Sequence, residues 1–286
     1  MSLKKIGFWL AIALGLVWSL LPIYWIVRMA FLTPAEIAQF PPPAVPRSLN
    51  PAAFLNVFGF DAVRPDGSLS RASGQTAQII RGFWNSLVVA TIVTALTLLV
   101  AIPLSYIFAR LQFRFRDLML NGVLFAVALP PVAMIIPFFS MYVQLGLAGT
   151  LLGLVIVDLT ITIPFVTWML VGYMRNLPPV ERLARVDGFG RFETLLRLIL
   201  PMARNGVAAA AVVAFLFAWN EFTFALVLVN GTTANTLPTA ISGFLFMVPE
   251  PANLAVCIIV SIIPPALVAY VLQRRMSDIS LLDPVR

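Results

Sequence analysis

"VERLARVDGFGRFETLLRLILP", residues 180–201, is a charged, amphipathic island between two strongly apolar runs, and its placement decides how the chain is read. The surrounding sequence is 60% hydrophobic and 11% charged, with a mean hydropathy of +0.97. Soluble domains carry about 25% charged residues, so an ordinary soluble fold is excluded. A membrane span needs roughly 20 mostly apolar residues, and six stretches supply them: 6–31, 83–109, 118–143, 151–174, 206–229 and 253–272. The expected fold is an all-α, polytopic transmembrane helical bundle of six spans. Lys4 and Lys5 before the first run also fit a signal peptide. A secretory apolar core is only about 7–15 residues and ends at a small-residue cleavage site, whereas this run continues through "LGLVWSLLPIYWIV". It is read as an uncleaved span.

Orientation follows the Lys and Arg content of the short loops. With the N-terminus inside, the inner segments hold every one of the 19 basic residues except Arg28, Arg47, Arg64, Arg71 and Arg81. The short outer segments "QLGLAGT" and "NGTTANTLPTAISGFLFMVPEPA" hold none. Both termini are therefore expected in the cytoplasm, and the net charge of +7 is a topology signal with no bearing on nucleic acid. The expected organisation is an N-terminal tail and first span (1–31), a long extracytoplasmic loop (32–82) and a five-span core (83–272). A cytoplasmic loop (176–204) belongs to that core, and a cytoplasmic tail (273–286) follows it. The long loop, with "FPPPAVPRSLNP" and "DAVRPDGSLSRASGQ", has the composition of loops and short turns, not of a folded domain. It serves either as a seat for an external partner or as a passive linker.

What the sequence lacks narrows the chemistry. There is no His, the single Cys257 lies within the last run and reads as buried and inert, and Lys4 and Lys5 are the only lysines. A phosphate-binding loop needs a lysine beside its glycines, and none is placed for it. No catalytic constellation and no metal-ligand set emerges.

Residues 180–201 then fall on the inner side, between the fourth and fifth spans. Pro178 and Pro179 suit a helix start, and Val180, Leu183, Ala184 and Asp187 share one face. Gly188 and Gly190 offer a sharp turn at positions tolerant of positive φ. Phe192, Leu195, Leu196 and Ile199 repeat at i, i+3, i+4 and i+7, an apolar stripe on a second helix. Periodicity alone leaves two readings open, a docking module and an amphipathic positive-inside loop.

The same run resembles the EAA motif of ABC importer permeases: Glu-Ala-Ala, two residues, Asp-Gly, a helical stretch, then Leu-Pro. The matching residues are Ala184, Asp187, Gly188, Leu200 and Pro201. Arg182 and Leu183 stand where the motif has Glu and its first Ala, with Glu181 one position earlier. "FWNSL", "PLSYIFARL", "IPFVTW", "FAWNEFTFAL" and "NTLPTAI" extend the resemblance, in order, to the maltose-type, sugar-importing branch. The tail "RRMSDISLLDPVR" departs from that branch. The resemblance implies the permease subunit of an ATP-driven sugar importer in the bacterial inner membrane. Its partners would be a second homologous permease, two ATP-binding subunits and an extracytoplasmic sugar-binding protein. ATP and Mg would be bound by the ATPase subunits, with no cofactor in this chain. Residues 180–201 would be the coupling helix that docks on an ATPase subunit, with Glu181 a candidate for the motif's acidic role.

An ionisable side chain at mid-bilayer costs about 2.5–3.5 kcal/mol on insertion scales, so each is a functional candidate by default, and the amides near them are weighed with them. Asp158 lies in the fourth run, Trp219, Asn220, Glu221 and Phe222 in the fifth, and Asn85 at the start of the second. Trp219 to Phe222 combine hydroxyl-matching groups with flat aromatic faces, as sugar recognition requires. Interhelical hydrogen bonding is the competing role. The alternatives at this level are a permease for a polyol or sugar derivative, and an ion-coupled secondary transporter.

Overall fold

A computed structural model describes residues 3–246 and 249–280. In chain order its helices are α1 (Leu3–Phe31), α2 (Pro34–Ile37), α3 (Ala52–Val57), α4 (Thr76–Arg110), α5 (Arg116–Ala128), α6 (Pro131–Gln144) and α7 (Leu151–Arg175). There follow α8 (Glu181–Val186), α9 (Arg191–Thr194), a π-helical turn (Leu195–Ile199), α10 (Leu200–Met202) and α11 (Arg204–Trp219). The last are α12 (Thr223–Leu228), α13 (Leu237–Phe246) and α14 (Pro251–Ser280). A two-stranded antiparallel hairpin, β1 (Ala62–Val63) with β2 (Leu69–Ser70), lies between α3 and α4. The chain divides into two compact units. One contains residues up to Arg81 together with Ala240–Ile263, the other Gly82–Thr239 together with residues from Pro264 onward.

Five segments among the described residues are long and apolar enough to cross a membrane: Gly7–Phe31, Thr76–Arg110, Leu151–Arg175, Arg204–Leu228 and Pro251–Leu272. The remaining expected span, 118–143, is present as two helices, α5 of 13 residues and α6 of 14. The cause is the Pro130–Pro131 pair. A residue preceding proline is pushed out of the helical region, and both Leu129 (φ −68°, ψ 126°) and Pro130 (φ −70°, ψ 123°) are extended. Helix α4 has 35 residues and starts at Thr76, ahead of the expected 83. At 1.5 Å per residue it is about 52 Å long, well beyond a hydrocarbon core of about 30 Å. Helix α14 also overruns its expected end and continues to Ser280, because no Gly or Pro interrupts it after Pro265. The part of the expected tail from residue 281 lies outside the described residues.

The second unit is held by small residues that let helices approach closely. Ala101 of α4, Val166 and Leu170 of α7, and Ala210 and Ala214 of α11 form one buried cluster. Thr97 and Thr162 hydrogen-bond across it at 2.8 Å. Gly206 admits Tyr173, whose ring would lie 2.5 Å from a β-carbon placed there.

The segment after α1 departs from the expected loop. Thr33 and Glu36 form a reciprocal capping box on α2: the Glu36 N–H donates to Thr33 Oγ1 at 3.3 Å and the Thr33 N–H to Glu36 Oε2 at 2.9 Å. The Arg47 N–H donates to Glu36 Oε1 at 2.8 Å, closing the Pro-rich stretch over the helix. These short elements fold with Ala240–Ile263 as one unit, so a segment with loop composition gains order through buried polar anchors. The bonds from Thr33, and then from Arg47, hold the Glu36 carboxyl below the usual carboxylate range. A lowered folded value contributes stability above the ordinary carboxylate pKa, and that contribution is lost as pH falls through the folded value. Acidification below the usual carboxylate range should therefore loosen residues 33–47, and Glu36→Gln should remove that step. Amide hydrogen exchange of this segment against pH measures both.

Candidate functional site

The module at residues 180–203 is built by three local devices. Helix α8 ends in a Schellman turn: the Phe189 N–H donates to Ala184 O at 2.8 Å and the Gly188 N–H to Arg185 O at 3.2 Å. Gly188 occupies the left-handed position, φ +82°. Glu193 then reaches back to the Gly190 N–H at 3.1 Å and fixes the start of α9. Finally, Pro201 lacks an N–H, and its ring crowds the carbonyl four residues earlier. The helix widens just before it, with the Leu200 N–H donating to Leu195 O in a π-helical bond. The Leu-Pro pair of the motif thus produces the bulge that leads into α11. Leu200 is half-buried and Pro201 exposed.

One side of this module is seated and the other is bare. Leu195, Ile199 and Ala203 pack with Tyr106 and Met174, while Leu177, Val180 and Val207 close around them. Burying side chains such as Leu195 and Ile199 contributes roughly 1.5–3 kcal/mol each. Ala184 and Thr194 are also buried. Leu183 (68% exposed), Val186 (86%), Phe192 (70%) and Leu196 (44%) face outward, with Arg182, Arg185, Asp187, Arg191 and Arg197 also exposed. The periodic stripe expected on the second helix is therefore split. Leu195 and Ile199 anchor it, and Phe192 and Leu196 are left open.

Glu181 faces inward. Its Oε1 lies 3.3 Å from Arg110 Nε, with side-chain exposures of 20% and 8%. Arg110 also donates from Nη2 to the carbonyls of Leu177 (2.7 Å) and Pro178 (3.3 Å). A single guanidinium at the end of α4 thus ties down the end of α7 and the start of α8. Sequence reasoning missed Arg110 as a site residue. Its only signal there was its place in "PLSYIFARL", where it counted as one more inner charge.

The intramembrane candidates separate into different environments. Asn85 donates from Nδ2 to the carbonyls of Thr233 (3.0 Å) and Asn235 (2.7 Å), tying α4 to the chain before α13. Trp219 is buried, stacked on Phe215 at 5.8 Å and 13°, and edge-on to Phe83 at 5.8 Å. The Asn220 amide donates to Leu216 O at 2.9 Å and the residue is exposed, while Phe222 is 37% exposed. Glu221 accepts the Phe224 N–H at 2.7 Å and the Ala225 N–H at 2.8 Å, capping α12. Asp158 is 2% exposed, neither carboxyl oxygen has a hydrogen-bond partner among the described residues, and it interacts electrostatically with Glu221. These contacts give Asn85 and Glu221 structural roles. Glu221→Ala should uncap α12 at a cost of about 1–2 kcal/mol, with Glu221→Gln retaining part of the cap. Thermal unfolding in detergent would measure the difference.

Comparison with known proteins agrees with this architecture. The chain is 28% identical to the sulfoquinovosyl glycerol transport system permease protein SmoH of Agrobacterium fabrum, over 93% of this chain and 89% of that one. It is 30% identical to the trehalose transport system permease protein SugB of Mycobacterium tuberculosis, over 67% and 72%. The fold matches a chain in the crystal structure of a bacterial ABC transporter involved in the import of the acidic polysaccharide alginate. The TM-score is 0.75 at 19% identity, covering 95% of this chain and 96% of the other. The family of binding-protein-dependent transport system inner membrane components matches residues 101–278, from the middle of α4 into α14, which sets aside the ion-coupled alternative. The chain belongs to that family, and is a multi-pass permease subunit of an ABC importer.

Proposed function

We propose that this chain forms one half of the translocation path of a sugar importer, beside a second, homologous permease. Two ATP-binding subunits drive it and an extracytoplasmic sugar-binding protein loads it. ATP and Mg are held by the ATP-binding subunits. The permeases for sulfoquinovosyl glycerol and trehalose among its relatives support a sugar as substrate. A polyol or sugar derivative is the alternative within the same machinery.

The observation that carries the coupling role is the bare apolar ridge of Leu183, Val186, Phe192 and Leu196 on a firmly seated base. Exposed apolar side chains clustered on a rigid module mark a docking surface. Ala184, Leu200 and Pro201 shape the base, Gly188 sets the turn, and Asp187 stands exposed at its tip. Closure of the ATPase pair would push on this ridge, and the Arg110 tie would pass the motion to α4 and α7. Of the path candidates, exposed Asn220 and Phe222 are proposed to face the solute, and Asp158, buried in this conformation, to reach it only when the helices rearrange during the transport cycle, with Trp219, Asn85 and Glu221 holding the walls.

The test is purification of the chain from its native membrane in mild detergent, with mass spectrometry of what is retained. An ATP-binding subunit and a second permease are expected with the wild-type chain. Leu183→Asp should lose the ATP-binding subunit and keep the second permease. Retention of both at wild-type levels would remove the ridge from the coupling interface.

A further inference from the structure

The first unit contains a cavity of about 320 Å³ beyond the C-terminal end of α1 and ahead of α14. Its wall carries more polar chemistry than a packing defect would. Ser70 (2% exposed), Asn56 (6%) and Asn253 (8%) are polar and almost completely buried there. The Asn56 amide and the Ser70 hydroxyl hydrogen-bond at 2.5 Å, and Arg64 Nη2 donates to Ser70 Oγ at 2.9 Å. On the other side, Glu250 accepts from Asn253 Nδ2 at 2.5 Å and from Ser73 Oγ at 3.3 Å. These bonds fix the wall before any ligand arrives, which lowers the cost of ordering it on binding.

The charges do not balance. Arg64 and Arg71 face one carboxylate, Glu250, and neither guanidinium has a carboxylate within ion-pair distance among the described residues. Arg64 donates to the hydroxyls of Ser68 and Ser70, and exposed Asp66 on the hairpin turn, itself engaged by the N–H and hydroxyl of Ser68, attracts it from outside the cavity lining. In the lining itself two cations stand against one anion, which favours a negatively charged ligand, and Arg presents the planar fork that matches a carboxylate. The amides and Glu250 offer donors and acceptors suited to hydroxyl groups. The volume lies at the lower end of small-molecule sites, about 300–1,000 Å³, and suits a one- or two-ring solute.

We infer that this cavity binds a hydroxylated small solute carrying an acidic group, a sugar acid in chemical class, with Arg71 and Arg64 on its anionic end. The class of solute rests on the sugar-import reading above, while the site itself rests on the cavity.

The experiment is isothermal titration of the intact complex, reconstituted in lipid nanodiscs, with D-glucuronate, D-glucose and acetate. Hydrogen bonds to charged groups carry about 1.5–3 kcal/mol, so glucuronate should bind at least about tenfold more tightly than glucose. Arg71→Gln should weaken glucuronate by about tenfold, and Arg71→Lys by less, with glucose unchanged in both. Arg71 is exposed, and retention of the partner subunits by the variants checks their folding. Absence of saturable glucuronate binding, equal affinity for glucose, or an unaltered Arg71→Gln variant would overturn the assignment. Acetate binding as tightly as glucuronate would also overturn it, by showing a bare charge socket of the kind an acidic side chain of another protein fills. Co-purification of the ATP-binding subunit is scored on the same samples. Its loss with glucuronate binding intact would sink the importer reading alone, and the converse would sink this one alone.

Discussion

Replacing Gly188 with proline should reduce transport-linked ATP hydrolysis of the reconstituted importer to background while leaving the chain in the membrane. Gly188 sits at φ +82°, and proline is locked near −65°. The substitution also removes the N–H that donates to Arg185 O and disfavours the near-helical conformation of Asp187 before it (φ −77°, ψ 5°). The Schellman turn cannot form, so α8 and its exposed Leu183 and Val186 lose their fixed direction. None of this touches an apolar span, and insertion should be unchanged. Gly188→Ala is the control. Nothing lies within 4 Å of a β-carbon built there, so alanine incurs only the left-handed backbone penalty, about 1–2 kcal/mol. Partial activity is expected for alanine and none for proline. Wild-type activity in both variants would show that the turn's geometry is irrelevant to coupling.

The helical class was legible because apolar run length is a direct consequence of bilayer thickness. The runs containing Val89, Val157, Ala214 and Val256 needed no tertiary information. The break at Leu129–Pro130 was only partly legible: Pro130 and Pro131 stand inside the expected span 118–143, but whether a proline bends a helix or divides it depends on what satisfies the freed carbonyls. The order in residues 33–73 was not legible. It rests on Glu36, Asn50 and Asn56, polar residues whose burial is decided by partners 11 to 20 positions away. In the module, spacing located Gly188 and the apolar stripe correctly along the chain. It could not separate Leu195 and Ile199, which are seated, from Phe192 and Leu196, which are bare. A π-helical turn shifts the phase of a 3.6-residue repeat, and the sequence carries no mark of that shift except Pro201. Arg110 was hidden for a related reason, since its partners Leu177, Pro178 and Glu181 lie about 70 residues away.

Arg110→Ala should be among the most damaging substitutions outside the membrane interior. It removes the cation from a pair whose side chains are 8% and 20% exposed, and it leaves the Leu177 and Pro178 carbonyls without their donor. Breaking a buried pair by deleting one partner costs about 3–5 kcal/mol. Glu181 keeps some contact with water, so the lower end applies, about 3 kcal/mol. A loss of that size changes the balance between seated and unseated module by roughly a hundredfold. Removing the carboxylate's charge as well should recover much of the loss, so Arg110→Ala with Glu181→Gln should be more active than Arg110→Ala alone. Arg110→Lys should fall between, because an ammonium can pair with Glu181 but lacks the fork that also holds the two carbonyls. Stimulated ATP hydrolysis and transport, measured on the same reconstituted complexes, read the outcome. If Arg110 ties the module to the spans, hydrolysis should persist at conditions where transport has fallen by tenfold or more. A parallel fall of both with the partner subunits lost would make it a folding residue. Full activity in Arg110→Ala would mean that the module is held by Leu195, Ile199 and their neighbours alone.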